Sequence, residues 1–436
     1  MTAAAVSPQA NHPDAGQVYH KLIYRLVPVL FICYILAYLD RVNVGFAKLA
    51  MKEEPWFSDA VFATGSGIFF IGYFIFEVPG NLLLHRIGAR VWITRIMISW
   101  GILSTLCALS STPFTFYLFR FLLGIAEAGF FPGILLYLTY WFPKRYRVQL
   151  VALFMTAVTV AGVIGSPLSG WILDQMSAST HLKSWQWLFV IEGIPSILLG
   201  LFLPFLLTDR PEKASWLRTA EKKLIAAELH AEEQSKQAVA ATATQALRSG
   251  KVWLFSMIYF GLVIGLYGVS FWLPQIISST ITQEKTSIGF YAAIPWLCAT
   301  VGMIIYGRHS DRTGERHWHI IIAAFLAMCG FIASGMAGLP AAWILIFLCV
   351  ATTGVMCGVT CFWSLPAAVL SGTAAAAGIA LVNSVGNLAG YLSPELFAAL
   401  KAKFSLGTAL MGTGLAQGGS ALLVGLLLFA ASKKAR

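Results

Sequence analysis

Residues 81–90 read Asn81-Leu82-Leu83-Leu84-His85-Arg86-Ile87-Gly88-Ala89-Arg90, and residues 307–316 read Gly307-Arg308-His309-Ser310-Asp311-Arg312-Thr313-Gly314-Glu315-Arg316. Both fit one template: a small or polar residue, then a polar residue four positions on, then Arg-x-Gly-x-Arg. Each copy follows the second apolar run in a set of six, so the chain repeats itself about its middle. The runs lie near 24–47, 60–82, 91–110, 114–137, 148–173 and 187–207, and again near 252–275, 288–306, 318–338, 342–366, 375–399 and 407–430. Each is long enough to cross a hydrocarbon core of about 30 Å. The runs are continuous rather than alternating, so they read as helices, the open-ended structure that satisfies its own backbone in lipid.

Composition agrees. Of 436 residues, 58% are hydrophobic and 11% charged, against about 25% charged in a soluble domain. The fold expected is an all-α integral membrane protein of twelve transmembrane helices in two pseudo-symmetric six-helix bundles. Its parts are a tail at 1–20, a bundle at 21–207, a linker at 208–250, a bundle at 251–431 and a tail at 432–436. The linker carries Glu212, Lys213, Glu221, Lys222, Lys223, Glu228, Glu232 and Glu233 and reads as partly helical and solvated. The first 20 residues lack the apolar core of a cleavable signal. The seven cysteines lack metal-ligand spacing and read as packing, so no metal site and no cofactor is expected.

The formal charge of +11 is a topology signal rather than a nucleic-acid patch. One side of the bundle collects Lys21, Arg86, Arg90, Lys144, Arg145, Arg147, Arg308, Arg312, Arg316, Lys433, Lys434 and Arg436. By the positive-inside rule that side is cytoplasmic and holds both termini and the linker.

Charges inside a bilayer cost at least about 2.5–3.5 kcal/mol each at a helix centre. Four lie well inside the first bundle: Asp40, Arg41, Arg120 and Glu127; Glu77 and Glu192 lie nearer helix ends. The interiors of the last six spans carry none. Arg120 and Glu127 share a face of one span, separated by two turns and about 10 Å, which suggests a coupled arrangement in which a charged Glu127 competes for Arg120 and a protonated one frees it. A guanidinium can hold a carboxylate substrate bidentately, and a buried carboxyl can carry a proton. From the residues alone a second reading stands beside this one: static ion pairs, Asp40 with one Arg and Glu127 with another, that hold two helices together. Asn383 and Asn387, one turn apart, offer amides from the second bundle, with Trp363 and, on the second span, Tyr73 as further substrate contacts. The alternatives are interhelical amide bonds for the asparagines and an interfacial place for the two aromatics.

The repeated loops resemble the signature of the major facilitator superfamily. The second copy matches, with Gly307, Asp311, Arg312, Gly314 and Arg316 as gating positions. The first keeps Arg86, Gly88 and Arg90 but has Asn81, His85 and Ala89 where the family carries Gly, an acid and Arg. Tyr38-Leu39-Asp40-Arg41-Val42-Asn43-Val44-Gly45-Phe46-Ala47, the stretch from Phe119 to Gly133 with Arg120, Gly124, Glu127, Gly129 and Pro132, Tyr140-Trp141-Phe142-Pro143, and Asn383 to Gly390 resemble the anion:cation symporter family. The resemblance implies a bacterial inner-membrane carrier, functional as a monomer, that imports tartrate-like hydroxy acids, sugar acids or aromatic acids with protons by alternating access. It implies proton carriage by Asp40 and Glu127 and ties Arg41 and Arg120 to the anion. Gly162, Gly165, Ser166, Pro167 and Gly170 resemble the superfamily's mechanical motif on the fifth span. The rivals are a channel, a membrane-bound enzyme, a sensor that does not transport, and a sodium-coupled or exchange carrier. A second bundle whose span interiors lack charge argues against a polar pore, and no nucleophile–base or metal motif supports an enzyme.

Overall fold

Asp14 accepts a hydrogen bond from the Gly16 N–H at 2.9 Å and starts α1 (Ala15–Val42) well ahead of the apolar run at 24. The computed structural model describes residues 14–236, 248–369 and 372–434. Most of the expected tail at 1–20, the linker residues 237–247 and the end of the last tail lie outside the described residues. All regular structure among those described is helical. After a turn at Asn43, α2 (Val44–Met51) completes the first crossing. Ser58 caps α3 (Asp59–Ile87) through the Val61 N–H at 3.2 Å, and α4 (Ala89–Leu106) returns. Thr112 and Thr115 form a capping box, with Pro113 as the first residue of α5 (Pro113–Glu127). Then come α6 (Phe130–Trp141), α7 (Lys144–Gln175), α8 (Ser184–Leu206) and, in the linker, α9 (Thr219–Lys236). The second half holds α10 (Gly250–Thr280), α11 (Lys285–Thr313), α12 (His317–Ser334), α13 (Ala341–Phe362), α14 (Ser364–Val369), α15 (Gly372–Lys403) and α16 (Leu406–Lys434).

Among the described residues, 11 stretches are long and apolar enough to cross a membrane; the 32-residue α15 makes the remaining crossing. The expectation of one helix over 114–137 is corrected. α5 ends at Glu127, and Gly129, at φ 84°, turns the chain before α6. A left-handed backbone in mid-span suits glycine, which has no Cβ to clash. Both repeated loops carry a glycine at positive φ: Gly88 (φ 94°) follows α3 and Gly314 (φ 68°) follows α11.

The face of the bundle where α1 begins is here called the terminal face, and the other the far face. Two antiparallel helix pairs join the halves. Along α3 and α15, Asp59 meets Lys401 at 2.6 Å at the far face and Thr64 donates to Glu395 at 2.7 Å. Glu77, deeper, accepts from Asn383 Nδ2 at 3.0 Å and Ser384 Oγ at 2.8 Å. Along α7 and α11, the Thr286 N–H donates to Asp174 at 2.6 Å at the far face. There the backbones nearly touch: a Cβ on Gly170 would lie 2.3 Å from the Lys285 carbonyl oxygen, and one on Gly289 2.4 Å from that of Ser166. The glycines of the fifth span therefore serve close approach. At the terminal face α9 docks on the first half: Lys21 pairs with Glu221 at 3.0 Å, Arg145 with Glu228 at 2.9 Å and Arg147 with Glu232 at 2.5 Å.

Candidate functional site

A cavity of 80 Å³ lies between the halves. Tyr34, Tyr38 and Arg41 on α1 stand one turn apart and share the face that α1 turns to it. Tyr73 of α3, Glu127 at the last turn of α5, Phe130 and Phe131 of α6, and Met155 and Val158 of α7 complete the first half's wall. The second half contributes Tyr259, Leu266 and Tyr267 from α10, Thr360 and Trp363 at the end of α13, and Asn383 and Asn387 from α15.

Arg41 organises this wall. One guanidinium nitrogen pairs with Glu127 and the other donates to the Tyr267 hydroxyl at 2.9 Å, across the halves. The rings of Phe69 and Tyr73 lie 5.3 and 5.8 Å from the guanidinium carbon, a cation–π setting that favours the charge. Tyr38 also reaches across, with its hydroxyl 2.8 Å from Ser270 Oγ. Among the described lining residues, Arg41 and Glu127 are the charged ones. Their pairing is possible because the break at Gly129 ends α5 at Glu127 and leaves that carboxylate at the cavity's edge.

Arg120 does not pair directly with Glu127, although its charge still acts on that carboxyl. Arg120 is fully buried outside the cavity lining. Its Nε donates to the Gly65 carbonyl at 3.2 Å and one Nη to the Arg41 carbonyl at 3.4 Å. A rise of about 10 Å along one helix is too long a reach for the two side chains, and each finds its partner on a neighbouring helix. The close crossing of α3 and α5, where a Cβ on Gly124 would sit 1.9 Å from the Phe69 carbonyl oxygen, presses Arg120 onto the α3 backbone.

Asp40 is not in an ion pair either. It accepts from Trp100 Nε1 at 2.6 Å, Ser104 Oγ at 2.8 Å and Ser196 Oγ at 2.7 Å. Successive helical residues diverge by about 100°, which sends Asp40 into the first half while Arg41 faces the cavity. Glu77 and Glu192, placed nearer helix ends by the sequence, are both buried within long helices. Of the gating positions, Asp311 pairs with Arg316 at 2.7 Å, and Arg316 also donates to Ser310 Oγ at 3.0 Å. Arg90 lies 3.8 Å from Asp209. Arg86 and Arg312 are exposed, and Gly307 has open space about it. The His85 side chain lies outside the described residues.

Tyr73, Trp363, Asn383 and Asn387 line the cavity, and Asn383 also makes the interhelical amide bond, to Glu77. Tyr34, Tyr38, Tyr259, Tyr267 and Thr360 were not singled out. The one-turn spacing of Tyr34 and Tyr38 ahead of Arg41 was the available signal; the α10 tyrosines carried none, since 14 tyrosines are spread along an apolar chain.

The family model for the Major Facilitator Superfamily matches residues 30–394. The chain is 44% identical, over 95% of its length and 90% of the relative's, to an Agrobacterium vitis protein named "Putative tartrate transporter". It is 42% identical, over 87% of each chain, to a Pseudomonas putida protein named "Putative metabolite transport protein NicT". The fold is similar to that of the Escherichia coli xylose transporter XylE in a partially occluded inward open conformation, with a TM-score of 0.74, 15% identity, and coverage of 92% of this chain and 97% of that one. With its duplicated bundle and central cavity, the chain is a multi-pass membrane transporter that belongs to the Major Facilitator Superfamily.

Proposed function

We propose that the protein imports a small organic carboxylate together with protons by alternating access, across the bacterial plasma membrane and with its terminal face in the cytoplasm. The observation that carries this reading is the Arg41–Glu127 pair on the cavity wall. While Glu127 is ionised it occupies the guanidinium. Once protonated it releases Arg41, whose planar fork can then hold a substrate carboxylate. Proton and anion thus favour each other's binding without touching. Tyrosine hydroxyls and the amides of Asn383 and Asn387 suit a hydroxylated acid, and the aromatic plates suit a ring. The relatives named for tartrate and metabolite transport support a small organic substrate.

The test is uptake of labelled tartrate, sugar acids and aromatic acids into proteoliposomes with and without an imposed proton gradient. Accumulation of at least one of them, driven by the gradient and abolished when it is collapsed, is the expected result. Uptake that follows a sodium gradient instead, or binding without transport, would overturn the proton-symport reading.

A further inference from the structure

Asp40 poses a problem of access. Its carboxylate is enclosed by Trp100, Ser104 and Ser196 and does not line the substrate cavity. A proton that reaches it must come through the interior of the first half.

One turn along α8 from Ser196, toward the far face, stands Glu192. It is 3% exposed, eight residues inside its helix. Ser169 of α7 donates to its Oε1 at 2.6 Å, while Oε2 has no hydrogen-bond partner. The Asn43 amide lies beside this carboxyl, and both its oxygen and its nitrogen are unpartnered although the residue is 1% exposed. A buried polar atom left unmatched costs about 1–3 kcal/mol; the Asn43 nitrogen can turn to the Glu192 carboxyl, but the Asn43 oxygen, itself an acceptor, cannot pair with a carboxylate and calls for an occupant. Asn43, Ser166 and Ser169 also line a cavity of 20 Å³, enough for one water, which needs about 10–15 Å³ by this measure. Its opposite wall, Ser270, Pro274 and Trp296, belongs to the second half. The cavity therefore sits on the seam that closes the far face, and parting the halves there would open it.

Resting on the proton-symport reading, we propose that Glu192 is a proton-carrying residue that links the far face, through the water site beside Asn43, to Asp40. With the far face open, a proton from water enters at Asn43 and is taken up by the Glu192 carboxylate. It then passes by way of the Ser196 hydroxyl to the Asp40 carboxylate. Glu192 returns to its ionised form as Asp40 becomes the acid, and the pair's total charge is unchanged by the transfer. Of the charged groups on the elements packed here, Asp40 acts on Glu192, and Arg120 of α5 acts in turn on Asp40. α1 presents Asp40, α7 presents Ser169, and α4 presents Gly101 and Thr105. Lys48 of α2 is turned to Asp59 and the Trp272 ring. Closing the far face then seals the route while the substrate cavity stays separate from it.

The experiment compares wild type, Glu192→Gln and Glu192→Asp in proteoliposomes, with labelled tartrate as the first substrate. Glu192→Gln is expected to lose gradient-driven accumulation by about tenfold or more while keeping most of its tartrate–tartrate exchange at equal pH; Glu192→Asp should recover part of the accumulation. Wild-type accumulation in Glu192→Gln would overturn the role of Glu192 alone, whereas absence of gradient-driven uptake in wild type for every acid tried would overturn the symport reading beneath it. A measurement on wild type needs neither substrate nor variant. A hydrophobic carbodiimide, which modifies protonated carboxyls in apolar surroundings, should label Glu192 increasingly as pH is lowered from neutral, read by peptide mass spectrometry. No adduct at Glu192 at any pH would overturn the proposal even if Glu192→Gln failed to fold.

Discussion

At the scale of the residue, two arginines that look alike in sequence have parted company. Arg41 has its guanidinium at the cavity, shared between Glu127 and Tyr267, and Arg120 donates to backbone carbonyls through Nε and one Nη. Their lysine variants should therefore fail differently. Arg41→Lys keeps the charge but loses the fork, and substrate affinity is expected to fall by about tenfold or more, measured by binding to detergent-purified protein. Arg120→Lys removes hydrogen bonds from a buried site and is expected to cost about 1–3 kcal/mol of stability, seen as a lower melting temperature, with a smaller effect on affinity. Equal affinity losses without destabilisation would mean that Arg120 reaches the substrate in another state. Glu127→Gln resembles the protonated acid and should bind and exchange substrate without gradient-driven accumulation. Normal accumulation in that variant would remove Glu127 from the coupling.

At the scale of the element, the break between α5 and α6 decides where Glu127 stands. Irregular backbone at membrane depth is tolerated where it lines a cavity, and here it ends a helix at a cavity carboxylate. Gly129→Ala places a Cβ in a left-handed backbone, at a cost of about 1–2 kcal/mol, and a melting temperature lowered to match is the expected result. If the variant is as stable as wild type, the break is not fixed by Gly129. The docking of α9 is a second matter of elements. Burial would push the Glu221 carboxyl up, but the Arg218 N–H and the Lys21 ammonium outweigh it and hold the group below its usual range. A depressed carboxyl contributes stability above its unfolded pKa and loses it as pH falls through the folded one. Trypsin should accordingly cut at Lys222 and Lys223 slowly at neutral pH. Lys21→Ala, which removes the partner charge, should speed that cleavage. The effect is expected to be modest, because exposed ion pairs contribute about 0–1 kcal/mol, and an unchanged rate would show that α9 is held by its other contacts.

At the scale of the whole molecule, the halves close on the far face. The α3–α15 and α7–α11 seams both meet there, through Asp59–Lys401 and Asp174–Thr286. Alternating access requires these seams to part. In a chain freed of its seven cysteines, Thr64→Cys with Glu395→Cys, bridged by a thiol-reactive cross-linker, should abolish substrate transport while each single variant transports normally. Full transport by the bridged protein would show that this seam does not open.

What the sequence determined by itself was the class of solvent, the number of crossings, the duplication and the charged residues that the membrane pays to hold. These follow from length, hydropathy and repetition along the chain, each a local property. The loop glycines were legible for the same reason, since a positive φ is met within a few residues. The tertiary structure alone decided which charges meet. Helical periodicity assigns a residue to a face but not the rotation of one helix against the next, and a side chain's partner is set by that rotation and by how closely the backbones cross. So Glu127 fell to Arg41 rather than Arg120, Asp40 to a tryptophan and two serines, and Glu192, which the sequence left near a helix end, to a buried site beside Asn43.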